Sequence, residues 1–116
     1  MKTRIKRVNS EFQKAAIKPI SDIVNKEYPG TIVSVTKVDT NEDLSESRIS
    51  VSVFSAGNRA DGAAVVGTIT QNAHVVRDHI ARAVNLRITP RLRFILDDSV
   101  DQTQRISDMI NKINNK

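Results

Sequence analysis

The sequence predicts an α+β fold in which helices cover one face of a three-stranded mixed sheet. Three observations predict it. Apolar residues recur every three or four positions in several segments, which is typical of amphipathic helices. Other short segments are rich in Val, Ile and Thr or alternate between apolar and polar residues, which is typical of strands. The chain has 116 residues, 39% of them hydrophobic and 27% charged, and this suits one globular domain.

The first helix is predicted over residues 3–27. Pro19 interrupts it, and since proline lacks the amide donor and clashes with the preceding turn, we expect a kink or a break there. Tyr28-Pro29-Gly30 supplies strong turn chemistry and should end the helix. The residues that gather on one side are Ile5, Val8, Phe12, Ala15, Ala16, Ile20, Ile23 and Val24.

A hairpin is predicted next. Residues 31–38 form a β-branched strand, residues 39–43 an acidic turn, and residues 48–54 a second strand. The second strand alternates: Ile49, Val51 and Val53 point one way, and Arg48, Ser50 and Ser52 the other.

Two helices and a third strand follow. Residues 60–72 predict a weak helix because they contain two glycines and several β-branched residues. Residues 74–86 predict a better helix, with Val76, Ile80, Ala83 and Val84 on its apolar side. Pro90 stops it, and residues 91–97 alternate as a strand.

A last helix is predicted from Ser99 onward. Ser99 and Gln102 match the spacing of a capping box. The buried stripe of this helix would be Ile106, Met109, Ile110 and Ile113.

The element order places the hairpin and the crossover strand in one mixed sheet. The apolar sides of the helices need one face of that sheet, which gives two layers. The other face is expected to carry Arg48, Ser50, Ser52, Arg91 and Arg93.

Positive charge is concentrated in two blocks. The formal net charge is +5. Residues 1–18 contain six Lys or Arg and one acid, and residues 77–93 contain five Arg and one Asp. Residues 27–61 between them contain three basic and six acidic residues. This distribution indicates a protein that binds a polyanion, although basic residues that only solvate a surface are equally compatible with the net charge.

Several function classes are disfavoured. There is no cysteine, so disulfides and thiolate metal sites are excluded. His74 and His79 lie about 140° apart on a helix, which does not suit a shared metal ion. Asp97 and Asp98 are neighbours on a strand and point to opposite sides. We therefore expect no enzyme, no metal and no cofactor. No apolar run is long enough to span a bilayer and no signal peptide is recognisable, so we expect a cytoplasmic protein.

The element order is similar to that of a type II KH domain, an RNA-binding module, with one helix appended. Specific residues in that order resemble the ribosome-binding factor A family, and the resemblance covers nearly the whole chain. They are Arg7-Val8 with Phe12-Gln13-Lys14, Thr36-Lys37-Val38, Asp43-Leu44, Arg48 through Phe54, Val75-Val76-Arg77, Leu86 through Pro90, Leu92, Phe94, Asp97 through Ser99, Arg105-Ile106 and Ile110.

The resemblance implies a single KH-like domain over residues 1–116 that binds the free small (30S) ribosomal subunit and its 16S rRNA. It implies support of late rRNA processing and subunit maturation, often most needed in the cold, with no cofactor, no membrane and no small-molecule substrate. We expect a monomer. One departure concerns the junction between the two central helices. The family has a kink of small residues there, usually Ala-x-Gly, whereas this chain has Asn72-Ala73-His74.

The basic blocks supply the candidate RNA-binding residues. Arginine is suited to the role because its planar fork binds phosphate with two donors. The resemblance favours residues on the helix side of the sheet over the arginines of its open face. The candidates are Arg4, Lys6, Arg7, Lys14, Arg77, Arg82, Arg87, Arg91 and Arg93. A basic adaptor that binds an acidic protein partner is the alternative function.

Overall fold

The computed structural model describes residues 2–55 and 61–97. They form three helices and one sheet of three strands: α1 (Lys2–Glu27), β1 (Thr31–Thr40), β2 (Glu46–Ser55), α2 (Gly62–Gln71), α3 (Ala73–Ala83) and β3 (Arg91–Leu96). The predicted order is confirmed as far as β3. The helix predicted from Ser99 onward, its capping box and Asp98 lie outside the described residues.

The sheet is mixed, as predicted, with β2 in the centre. β1 pairs with β2 in an antiparallel hairpin, and β3 pairs with β2 in parallel after the helical crossover. Val38, Ile49 and Phe94 face one another across the three strands. A bulge between Val35 and Lys37 shifts the register of β1. The bulge leaves two consecutive exposed residues, Thr36 and Lys37, and the alternation resumes with Val38 inside.

The buried face of the sheet packs against the helices, with α1 along β1 and α2 against β2 and β3. Ile49 and Val51 of β2 are completely buried and Val53 is 3% exposed. The opposing stripe of α1 has a spacing of four residues, which keeps its members on one side of the helix: Val8, Phe12, Ala16, Ile20 and Val24. Burial of each large apolar side chain contributes roughly 1.5–3 kcal/mol, so this contact holds α1 along the sheet.

Pro19 does not break α1, and the expectation of a break there is wrong. The helix continues from Lys2 to Glu27 with Pro19 inside it. Pro19 is itself buried, between the fully buried Ala16 and Ile20. The missing donor costs one backbone hydrogen bond, and the apolar contacts on both sides of the proline hold the helix together. A bend at this position stays a prediction.

The hairpin turn lies at residues 41–45, two residues later than predicted, because Asp39 and Thr40 still belong to β1. The amide of Asn41 donates to the Glu46 carbonyl and the amide of Leu44 donates to the Asn41 carbonyl. Leu44 adopts a positive φ of 60°, which is unfavourable for a residue with a side chain. Its side chain packs against the core, and that burial offsets the strain.

Helix α3 ends three residues earlier than the predicted boundary at residue 86. Ala83 is its last residue, and Val84 is extended, with φ −114° and ψ 114°. The Leu86 amide then donates to the Val84 carbonyl in a tight turn. Val84 is nonetheless 6% exposed, so the apolar period of the sequence continues beyond the helix itself.

We predict that the buried hydroxyl pair of Thr40 and Ser47 is energetically coupled. Their oxygens lie 2.9 Å apart inside the core. Thr40→Val or Ser47→Ala alone leaves one hydroxyl without its partner and should lower the free energy of unfolding by about 1–3 kcal/mol. The double variant should cost less than the sum of the two. Urea unfolding of the four proteins measures the coupling, and strictly additive losses would contradict it.

Candidate nucleic-acid interface

The junction between α2 and α3 is a single residue, Asn72. Its side-chain amide donates to the Thr68 carbonyl at 2.9 Å, and its backbone amide is 3.2 Å from the same oxygen and 3.0 Å from the Ile69 carbonyl. Its φ of −108° is accessible to any residue. The Val75 amide then donates to the Asn72 carbonyl and starts α3. The two helices are therefore separated without glycine, with an asparagine side chain securing the end of α2.

A cleft of about 540 Å³ opens beside this junction. It lies between the first turns of α3, the start of β3 and the end of the hairpin turn. Two arginines and one histidine give it a cationic and hydrogen-bonding character. The lining residues are Ser45, Ala73, His74, Arg77, Thr89, Arg91 and Leu92.

Arg77 holds the wall of this cleft. Its Nη2 donates to the Thr89 carbonyl at 2.8 Å and its Nε donates to the Pro90 carbonyl at 3.3 Å. Two donors from one planar guanidinium thus bind the loop that leads into β3. Arg77 is a structural clamp between α3 and this loop as well as a source of positive charge.

Arg91 borders the cleft at the start of β3, together with His74 and Arg77. By alternation it is exposed on the same side of β3 as Arg93, with the buried Leu92 between them. Its backbone amide donates to the Ser45 carbonyl, which fixes the start of β3 against the hairpin. Arg93 lies two residues further along β3 and does not border the cleft.

Arg48 is engaged by acidic neighbours. Its guanidinium lies 2.9 Å from the Asp39 carboxylate and 3.4 Å from that of Glu46, and it also donates to Asn41. The hydrogen bond to Asp39 raises the pKa of Arg48 above its ordinary value. A charge with two carboxylates beside it attracts a polyanion poorly.

The two basic blocks of the sequence meet where α1 contacts α3. A depression of about 340 Å³ is lined by residues from both helices. Glu11, Lys14 and Ala15 border it from α1, and Ala83, Val84 and Asn85 border it from the end of α3. Arg82 and Arg87 flank those three residues in the sequence and both are exposed. Lys14 of the first basic block and residues close in sequence to Arg82 and Arg87 of the second therefore border one surface depression.

Two of the candidate cations form ion pairs within a helix. Arg82 lies 2.7 Å from Asp78, and Arg7 lies 3.5 Å from Glu11. The arginine side chains are 80% exposed in both cases. Such pairs contribute about 0.3–0.5 kcal/mol, so a phosphate can replace the carboxylate at little cost.

The remaining candidates form no ion pair with a described residue, and all are exposed. Lys6 and Gln13 are two helical turns apart and share a side of α1. Since Gln13 donates to the Val35 carbonyl, Lys6 lies on the β1 side of the helix, away from α3. The unpaired group is Arg4, Lys6, Lys14, Arg87, Arg91 and Arg93.

Sequence reasoning did not identify Ser45, Thr89 and Leu92 as part of the cleft. Each lies in a turn or at the edge of a strand, and only the fold brings them together. The sequence signal for Thr89 is its position beside Pro90. Backbone carbonyls need hydrogen-bond partners where the chain turns into β3. Among residues 2–55 and 61–97, no group of three or more His, Cys, Asp or Glu could hold a metal ion. No helix in that part of the chain is long and apolar enough to cross a membrane.

Comparison with known proteins decides the family. The family model described as ribosome-binding factor A matches residues 4–110. The chain belongs to the ribosome-binding factor A family. It is 32% identical to ribosome-binding factor A of Caldicellulosiruptor saccharolyticus, covering 96% of this chain and 82% of the relative. It is also 32% identical to the Clostridium perfringens protein, covering 97% of each.

Solved structures of ribosome-binding factor A share the fold. The crystal structure from Thermus thermophilus superposes with a TM-score of 0.63 at 19% identity, covering 79% of this chain and 94% of that one. A homology model of the same Thermus factor, fitted into a cryo-EM map of its complex with the 30S subunit, gives 0.62 at 22% identity, covering 78% and 91%. The KH-like α+β prediction is consistent with this family fold. The family is named for ribosome binding and not for an enzyme activity.

We predict that Arg77 supports stability and that Arg91 does not. Arg77→Ala removes both donors to the Thr89 and Pro90 carbonyls and should cost about 1–2 kcal/mol, the typical net value of one or two hydrogen bonds. Arg91→Ala leaves these bonds intact and should stay within about 0.5 kcal/mol of the parent, as for surface substitutions. Thermal or urea unfolding measures both. Equal losses in the two variants would show that Arg77 is not a clamp.

Proposed function

We propose that this protein is a non-enzymatic assembly factor that binds the free small (30S) ribosomal subunit and its 16S rRNA during late maturation. The observation that carries the proposal is the contact of α1 with α3, which brings Lys14 to the same depression as residues 83–85, between Arg82 and Arg87 in the sequence. Parts of both basic blocks therefore lie at one concave surface, in a member of a family named for ribosome binding. We further propose that residues 1–116 act as one domain, as a monomer, in the cytoplasm where ribosomes assemble.

The proposed RNA surface is the helix side of the molecule. It runs from the cleft of His74, Arg77 and Arg91 to the depression bordered by Lys14. Phosphate is the group that such a surface recognises, because arginine presents parallel donors to its oxygens. Arg77 adds positive charge to this surface, but two of its donors are already hydrogen-bonded to backbone carbonyls. The exposed and unpaired Lys14, Arg87 and Arg91 are the stronger candidates for direct contact.

Binding through phosphates and RNA shape is favoured over base stacking. Aromatic residues make up 3% of the chain. None of the four, Phe12, Tyr28, Phe54 and Phe94, borders the cleft or the depression. Phe12 and Phe94 are in the core and Tyr28 binds Thr68. Contacts to the backbone of folded rRNA therefore supply the affinity, with little dependence on sequence.

We predict that charge reversal on the helix side is more damaging than the same reversal on the open sheet face. Lys14→Glu with Arg87→Glu changes the depression, and Lys37→Glu with Arg93→Glu is the matched control of equal charge change. All four residues are exposed and form no ion pair with a described residue. The first variant should lose co-sedimentation with purified small subunits, and the second should weaken it less. Arg48 and Arg77 are avoided because both have structural partners.

Melting curves must accompany this assay, since an unfolded variant imitates lost binding. If both variants stay folded and the sheet-face pair proves the more damaging, the RNA surface lies on the open face. If both bind small subunits like the parent, then charge on neither surface drives association. Binding to an acidic protein with no affinity for small subunits would favour the adaptor function.

We also predict a strong dependence of rRNA binding on salt. Each phosphate neutralised should contribute a slope of roughly 0.7–0.9 in log affinity against log salt. A handful of contacts then lowers the affinity by orders of magnitude between low and moderate ionic strength. Fluorescence anisotropy with labelled 16S rRNA fragments at several salt concentrations measures the slope. A flat titration would contradict a phosphate-based interface.

A further inference from the structure

The open face of the sheet, opposite α1, carries apolar residues that no described element covers. We define it by the outward residues of the three strands. Ile32 of β1 is 57% exposed and is the cross-strand partner of Phe54 of β2. Ile95 of β3 is 38% exposed on the same face. Between these two ends lie Ser34 and Ser50, whose small side chains leave room for an element to approach the sheet.

We propose that residues 98–116 fold back over this open face as an amphipathic helix. The sequence predicts a helix from Ser99 whose apolar stripe is Ile106, Met109, Ile110 and Ile113. That stripe needs an apolar surface to cover, because a helix of this length gains most of its stability from packing. The proposal does not rest on the proposed function.

The exit of β3 starts the segment on the correct side. Asp97 follows β3 directly, and its carboxylate accepts a 2.6 Å hydrogen bond from the Thr36 hydroxyl. Thr36 belongs to β1 and β2 lies between the two strands, so the Asp97 side chain reaches across the open face of the central strand. Thr36 also donates to the Ser50 carbonyl. The first residue after β3 is thus already joined to the far strand over this face.

Direction and length also fit. β3 is parallel to β2, so the chain leaves β3 toward the end of the sheet where Phe54 and Ile32 pair. A helix over residues 99–113 is about 22 Å long at 1.5 Å per residue. A ten-residue strand is about 33 Å long. A helix that starts beside Phe54 and turns back therefore reaches past Ile95 without leaving the sheet.

The segment of the same chain is favoured over a second copy because it is already attached. A short tether holds a binding partner at an effective concentration in the millimolar range. The two ends of the apolar surface are also separated by serines, which suits one narrow helix more than a broad interface between two sheets.

Paramagnetic labelling of the full chain tests the proposal. The chain has no cysteine, so Asn111→Cys gives a single site for a nitroxide. Asn111 lies about 150° from the apolar stripe on the helix, so the label does not disturb it. Amides of Ile32, Ser50 and Ile95 should lose more than half of their signal intensity. Amides of Val75 and Arg82, which lie on the far side of the sheet, should keep most of theirs.

Two further variants, both carrying the nitroxide label, test whether the signal loss depends on the apolar stripe of the helix and not on mere closeness of the segment to the sheet. Ile106→Asn with Ile110→Asn removes the stripe and should restore the strand signals. Asp108→Asn lies off the stripe and should leave the broadening unchanged. The proposal is overturned by broadening that is equal on both sides of the sheet, by broadening confined to α3, and by no broadening at all. It is equally overturned if an isotope-labelled copy without nitroxide is broadened by a nitroxide-labelled copy, because the occupant is then a second molecule.

Discussion

Ile49, Val51 and Val53 of the central strand are buried in the core shared with the helices, and the positions of both neighbouring strands follow from this burial. Because side chains alternate along a strand, burying these three residues fixes which face of β2 turns outward. β1 must then present Val33, Val35 and Val38 to the same side, and β3 must present Leu92 and Phe94. A shift of one residue in any pairing would expose the core face and bury serines and arginines. The burial of one face of β2 therefore determines on which face each charged residue of the sheet appears.

The same packing divides the arginines into two kinds. Arg48 lies in the centre of the open face, where Asp39 and Glu46 satisfy it, and Arg77 lies at a helix–loop contact, where two carbonyls satisfy it. Arg87, Arg91 and Arg93 have no comparable partner among the described residues and remain available to solvent or to a ligand. Charge counts along the sequence treat all of them alike. The distinction depends on tertiary neighbours, and it decides which positions can be changed without loss of stability.

Elements in which apolar residues recur at a regular spacing could be predicted from the sequence, and local departures from that spacing could not. The alternation of β2 and the four-residue stripe of α1 were readable because each repeats over many residues. The bulge near Thr36 interrupts the period once, so it left no clear signal. Val84 prolongs the apolar pattern of α3 although its backbone is extended, and this misplaced the boundary. A break was predicted at Pro19 because only the low helix propensity of proline was considered. The buried residues around Pro19, which hold the helix together, were not. The resemblance assigned the helix junction to Asn72-Ala73-His74, whereas the structure has Asn72 alone between α2 and α3. The contacts of Asn72 that secure this junction depend on the backbone of the preceding turn.

The hairpin turn places negative charge beside one end of the cleft. Ser45 borders the cleft, and the exposed Glu42 and Asp43 precede it in the same turn. The Ser45 hydroxyl and amide both donate to the Asp43 carboxylate and lower its pKa, so this charge is held in place. Negative charge therefore stands at the hairpin end, whereas Lys14, Arg82 and Arg87 give positive charge toward the contact of α1 with α3. A polyanion in this field is repelled from the turn and attracted toward the helices.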